Sequence, residues 1–169
     1  SIDKLIGFAE IVQRNFDILN WPTFVGGGQE LKFTAMFGTR RRNFELSFTE
    51  PWRFNRPYLF GVDLYNTTRT KGEGYSFELK RAGGDLRLGK AFGDFDRLDL
   101  TYRLENVRVS DVADTASSVL KDELGSNAIS SLRLGYTRDT RDNVFAAKEG
   151  YFFNSAVEGA GSFLGGDKD

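Results

Sequence analysis

From Arg42 to Tyr65 the chain reads RNFELSFTEPWRFNRPYLFGVDLY, and its side chains change in kind from each residue to the next. Phe44, Leu46 and Phe48 interleave with Glu45, Ser47 and Thr49. Glu50-Pro51-Trp52 then interrupts, because proline has no N–H to give to a ladder. The alternation resumes with Phe60, Val62 and Leu64 against Gly61, Asp63 and Tyr65. Successive side chains of a strand point to opposite faces, so a period of two predicts two strands about a turn, each with one apolar and one polar side.

The same rhythm runs along the rest of the chain. Residues 5–16 read as a first strand of mixed alternation, and 17–29 as a turn in which Gly26-Gly27-Gly28 supplies positive φ angles. Leu31, Phe33, Ala35 and Phe37 share one face of a strand over 30–38, and Thr39 to Arg42 reads as a short basic turn. Residues 66–74 are polar and read as a loop; Tyr75, Phe77 and Leu79 then alternate with Ser76, Glu78 and Lys80. Gly83-Gly84 predicts a bulge or bend before Leu86 and Leu88 alternate with Asp85 and Arg87. After a GDFD turn at 93–96, Leu98, Leu100, Tyr102 and Leu104 share a face, and the phase slips at Asn106.

Residues 113–124 are the one helix candidate, with Asp114 or Thr115 as its cap and Gly125 as its stop. Leu132, Leu134 and Tyr136 mark the next strand, and a charged connection fills 138–150. Tyr151, Phe153 and Val157 start a last strand that weakens among Gly159, Gly161, Gly165 and Gly166. About eight strands without a βαβ rhythm predict an all-β, antiparallel meander.

Composition narrows what such a meander can do. The 169 residues have room for one domain or one piece of a larger one, and the net charge of −1 gives no strong pull on nucleic acid. Sixteen Phe and nineteen Gly beside three Pro suit strands and tight turns. Histidine and cysteine are both absent, which removes the Ser-His-Asp triad, the Cys-His pair, thiolate chemistry and the HExxH zinc site. No apolar run approaches the ~20 residues of a spanning helix. A membrane barrel stays open, because its strands are only half apolar.

The polar faces collect Lys32, Glu45, Asp63, Glu78, Lys80, Asp85, Arg87, Asp99, Arg103, Glu105 and Arg133, with both signs interleaved. They suit an ion-paired, water-filled lumen, and equally a solvated outer face. The apolar faces carry aromatics near strand ends, at Phe44, Tyr58, Tyr75 and Tyr151, as the girdles of a membrane barrel do and as core aromatics of a soluble β-domain do.

Several longer segments carry a resemblance. QRNFDILNWPTFVGGGQEL at 13–31, LSFTEPWRFNRPYLFGVDLY at 46–65, DLRLGKAFGDFDRLDLTYRLENV at 85–107, LGYTRDTRDNVFAAKEG at 134–150 and EGAGSFLGGD at 158–167 resemble, in this order and with similar spacing, the BamA-type outer-membrane assembly factors, or bacterial surface antigen family. The likeness covers essentially the whole chain. It implies a transmembrane β-barrel in the bacterial outer membrane that folds and inserts other barrels without ATP. By it, residues 1–169 are a partial barrel corresponding to strands two to nine of a barrel about twice that size. The expectation is an open half-barrel. The periplasmic POTRA domains, the R-G-F loop and the strands of the lateral seam then lie outside this sequence.

The resemblance also implies partners: outer-membrane lipids, unfolded outer-membrane protein clients, and periplasmic chaperones and assembly lipoproteins bound through the missing domains. It puts the GGG, FTEPW, GDFD and RDTRDN connections on the periplasmic side. The Thr39–Arg42, Asn66–Gly74 and Ser110–Asn127 connections would face outside, with Arg40, Arg41 and Arg42 near an anionic lipid surface.

No catalytic residue, metal ligand or cofactor site stands out, so the chain does not read as an enzyme. Asp139, Arg141 and Asp142 read as an ion-paired or capped turn more readily than as a cation site, and Glu50 as a partner for turn amides or an arginine. Gly26-Gly27-Gly28 lacks the Lys-Ser/Thr and helix of a phosphate loop. Trp21 and Trp52 fall in proposed periplasmic turns, where interfacial tryptophan belongs. Two alternatives remain: a protein-translocation or secretion pore of the same superfamily, and a soluble β-barrel that binds an apolar ligand. The soluble reading buries Leu46, Phe48, Leu100 and Leu134; the membrane reading turns them outward in a band roughly 25 Å tall.

Overall fold

Each strand of this chain pairs with the one before it. The computed structural model describes residues 6–51, 57–71, 77–112, 124–143, 145–161 and 164–165. Its strands are β1 (Ile6–Phe16), β2 (Gln29–Gly38), β3 (Arg41–Glu50), β4 (Tyr58–Arg69), β5 (Glu78–Phe92), β6 (Asp96–Ser110), β7 (Gly125–Asp139) and β8 (Phe152–Ala160). They form one sheet in the order β1 to β8, with every pairing antiparallel. β1 and β8 have one strand neighbour each, so the sheet is open, the half-barrel the sequence implied.

The registers sort the side chains into two faces. On one face lie Leu31, Phe48, Val62, Leu86, Tyr102 and Leu132, each the cross-strand partner of the next. On the other lie Ser47, Asp63, Asp85 and Arg103, one residue along. Among the described residues, no second layer covers either face. Among the described residues, Ala35 and Val109 are the only buried apolar side chains. Leu46 is 41% exposed, Leu134 53% and Val157 73%, so the soluble reading, which buries the first two, fails. Past Ala160 the chain touches the apolar face: Gly161 N–H donates to the Ser130 carbonyl, and the Tyr102 hydroxyl to that of Leu164.

The strands outrun several expected boundaries. Arg41 and Arg42 pair with Arg69 and Thr68, so the turn before them is only 39–40 and the loop at 66–74 begins as strand. Gly125 to Asn127 likewise belong to β7. The helix expected over 113–124 lies, but for Leu124, outside the described residues, as do Trp52 and Tyr75. In β1 the register shifts between Gln13 and Phe16, which accounts for its mixed alternation.

Two predicted irregularities are absent. Pairing runs unbroken through Gly83 and Gly84 on both sides of β5 and through Asn106 on both sides of β6. Parity is therefore conserved, and Glu78 and Lys80 lie on the face of Leu86, not among the polar residues where periodicity put them; Leu79 lies on the face of Asp85. The glycines serve close approach instead. A Cβ on Gly83 would lie 2.6 Å from the Leu104 carbonyl oxygen and 3.0 Å from the Tyr65 hydroxyl. Tyr65, Gly83 and Glu105 are in register on β4, β5 and β6, and the Tyr65 hydroxyl crosses the bare glycine to donate to Glu105 Oε2 at 2.8 Å.

Candidate functional site: an apolar band and a polar lattice

The apolar face is a band whose edges can be traced strand by strand. One edge lies at Phe37 on β2, Phe44 on β3, Leu64 on β4, Leu104 on β6 and Leu132 on β7. The other passes Phe48 on β3, Tyr58 on β4, Leu98 on β6, Tyr136 on β7 and Phe153 on β8. Followed through the registers, both edges slip along the strands as they cross the sheet. Phe37 is in the Lys80 row and Leu132 in the Leu86 row. Phe48 is in the Leu86 row and Phe153 in the Phe92 row. Each edge therefore slips six residues across five strand steps. At ~3.4 Å per residue and ~4.8 Å per strand, that slope is roughly 40°. A level apolar slab crosses tilted strands in this way, and membrane barrels tilt their strands by about 35–45°.

Aromatics mark the edges. Phe37 and Phe44 meet edge to face at 5.1 Å on one side. On the other, Tyr136 and Phe153 lie 6.2 Å apart, and Lys90 sets its ammonium over the Tyr58 and Phe92 rings, 5.3 and 4.7 Å from their centres. A lysine at the rim of an apolar band, its ammonium held over two ring faces, suits an interface between hydrocarbon and water. A recess of the apolar face, lined by Tyr58, Phe60, Leu88, Leu98, Leu100 and Leu134, is a depression in this band.

The other face is a lattice of paired charges. Asp63 accepts from Ser47 Oγ at 2.5 Å and from both Nε and Nη2 of Arg87, the latter at 3.0 Å. Arg87 crosses Gly61 to reach Thr49 Oγ1 at 3.1 Å. Arg103 grips both carboxylate oxygens of Asp85 at 2.8 Å, and Lys32 pairs with Glu10 at 2.8 Å. Partners on neighbouring strands answer these charges, and a face of paired charges suits contact with water rather than hydrocarbon. Of the polar residues named from sequence, Lys32, Glu45, Asp63, Asp85, Arg87, Asp99, Arg103, Glu105 and Arg133 share this face.

The motif residues close the turns at one end of the sheet. Glu50, the acid of the FTEPW segment, is buried and accepts from Gln29 Nε2 at 2.7 Å; Gln29 Oε1 in turn accepts from Ile18 N–H at 3.0 Å. The 17–28 turn is thereby clipped to β2 and β3, and it leaves Trp21 exposed with its ring against Phe24 at 5.2 Å. In the RDTRDN segment, Asp139 holds Arg141 through two hydrogen bonds of 2.8 Å. Asp142 Oδ1 accepts backbone N–H bonds from Glu149, Lys148 and Asn143, and these, the Glu149 bond foremost, hold its carboxyl below the usual carboxylate range. The three residues build a capped turn. Among the described residues no group of acids is placed to hold a metal.

An open antiparallel sheet with an oblique apolar band on one side and a paired-charge lattice on the other is part of a transmembrane β-barrel. Residues 23–169 match the Omp85 superfamily domain, and the chain belongs to that superfamily, whose place is the bacterial outer membrane. It is 28% identical over 144 residues to the outer membrane protein assembly factor BamA of Nitratidesulfovibrio vulgaris, across 85% of this chain and 18% of that protein. The chain thus spans about a fifth of the length of that relative. Its fold is similar to the crystal structure of BamA from Haemophilus ducreyi lacking POTRA domains 1–3, with a TM-score of 0.63 and 18% identity, over 99% of this chain and 33% of that one.

Proposed function

We propose that this chain is part of the barrel of an outer-membrane protein assembly factor, corresponding to strands two to nine, and that the parent protein folds and inserts other β-barrels into the outer membrane. The observation that carries the reading is the identity to an assembly factor along 85% of the chain. The chemistry of this segment supports it: its two faces are built to hold a barrel wall between lipid and water. Client strands entering a membrane need main-chain hydrogen bonds that hydrocarbon cannot give, and a barrel seam supplies them. The GGG, FTEPW, GDFD and RDTRDN connections face the periplasm in this reading. Periplasmic chaperones and assembly lipoproteins meet the parent through domains beyond this segment.

Reconstitution of the full-length parent in liposomes tests the proposal. A urea-unfolded outer-membrane barrel added from outside should reach its heat-modifiable folded form several-fold faster than in empty liposomes, with no nucleotide present. Unchanged client folding, together with passage of an unfolded polypeptide into the lumen, would instead establish a translocation pore.

A further inference from the structure

Where β5 and β6 run past the apolar band, two cations face each other. Lys80 and Arg108 are direct cross-strand partners on the outward face, and both are exposed. Like charges directly opposite each other destabilise a strand pair. Glu78, on the same face, lies 2.9 Å from Lys80 and answers one of the two. The pair lines a recess with Asn66, Thr68 and Asn106, whose amide and hydroxyl groups are able to donate hydrogen bonds. Arg42, exposed on β3, continues the same cross-strand row beyond Thr68.

The recess sits where a bilayer keeps its anions. Arg108 follows Leu104, the last large apolar outward residue of β6, by four residues. On a strand tilted by roughly 40° that is a rise of about 10 Å past the hydrocarbon edge. The headgroup layer begins at that edge and is ~5–8 Å deep, and long basic side chains lean toward it. The floor of the recess continues into the lipid band through Ala82, Gly84 and Leu86.

We propose that this recess binds the phosphate of an anionic lipid headgroup, whose acyl chains lie down the adjoining apolar band. The inference rests on the membrane reading above. The phosphate accepts from Lys80 and Arg108 together and turns their mutual repulsion into a shared attraction. Asn66, Thr68 and Asn106 supply neutral donors around it.

The test uses the full-length parent in detergent, titrated with diphosphorylated lipid A, with phosphatidylcholine and with inorganic phosphate, while the thermal midpoint of its heat-modifiable form is read. Lipid A should raise the midpoint of the native protein by several degrees. Lys80→Gln/Arg108→Gln should need at least fivefold more lipid A for the same rise. Arg133→Gln, on the opposite face, should respond as the native protein does, and Lys80→Arg should keep the response. An unchanged lipid A response in the double variant overturns the site; so does an equal response to phosphatidylcholine. An equal response to inorganic phosphate that the variant also loses makes it a free-anion site and overturns the lipid assignment. If the double variant does not fold, Arg108→Gln alone carries the same comparison. A fluorophore at Leu134→Cys, with quencher on the lipid tails, separates the two readings. Quenching with no headgroup effect sinks the site alone, and absence of quenching sinks the membrane reading beneath it.

Discussion

Gly83 shows how one residue can be conspicuous in sequence and still be misread. A glycine pair inside a strand pattern suggests a bulge, and a bulge would have let Leu79 and Leu86 share a face. The ladder has none; the glycine is there because the Tyr65 side chain passes over it to Glu105. Only the register, which joins β4, β5 and β6, reveals that crossing. Gly83→Ala puts a Cβ 2.6 Å from a carbonyl oxygen and 2.9 Å from the Glu105 Cα, where backbone cannot yield cheaply. The cost should be about 1–3 kcal/mol, measured as a lowered urea midpoint of the full-length barrel. Gly159→Ala on β8, where a Cβ meets nothing within 4 Å, should leave the midpoint unmoved. Equal losses at the two positions would mean that generic glycine flexibility, not the crossing, is at stake.

At the scale of the element, the 140–151 connection is organised by one carboxylate. Asp142 gathers three backbone N–H groups, and Thr140 exchanges bonds with Tyr151 through N–H to carbonyl at 2.9 Å and N–H to hydroxyl at 2.9 Å. Those donors favour the charged form, so the folded carboxyl titrates below its unfolded value of ~3.9. Its contribution is complete above that unfolded value and is lost as the pH falls through the lower folded one. Hydrogen exchange of the Lys148 and Glu149 amides should therefore be slow at neutral pH and lose protection in strong acid. Asp142→Ala should remove the protection at every pH. Loss of protection already between pH 5 and 7 would show that another group holds the loop. Gly150 closes the same turn at φ +87°, with a would-be Cβ 2.1 Å from the Thr140 carbonyl oxygen. Gly150→Val should open the loop at neutral pH, seen as protease cleavage between Thr140 and Tyr151. This capped turn was legible from its charged and turn-forming residues; the identity of the acceptor was not, since Asp139 and Asp142 look alike in sequence.

At the scale of the whole molecule, the pattern that sequence reads best is the one that the membrane writes. Phe44, Leu46 and Phe48, or Leu98, Leu100 and Tyr102, lie inside the hydrocarbon slab, and there the period of two is clean. It fails at Lys80 and Asn106 because the strands continue beyond the slab and the outward face turns polar there, which looks like a slip of phase. The obliquity of the band cannot be read without cross-strand registers, yet it makes the sharpest prediction. Leu46 and Leu104 occupy one row, joined through Leu64 and Gly84. On upright strands they would sit at equal depth. With strands tilted by roughly 40°, three strand spacings separate them by about 9 Å in height, so Leu46 lies near the midplane and Leu104 at one edge of the band. An arginine on the lipid face costs ~2–4 kcal/mol at the midplane and ~0–1 near the interfaces. Leu46→Arg should then destabilise the full-length barrel in a bilayer by several times more than Leu104→Arg. Leu134→Arg, two rows away yet near the same midplane line, should match Leu46→Arg. Equal costs along the row would mean upright strands, and a fragment whose band has been traced wrongly. A cost that follows the diagonal fixes the tilt at which this segment stands in the membrane, and with it how far beyond the slab Lys80 and Arg108 emerge.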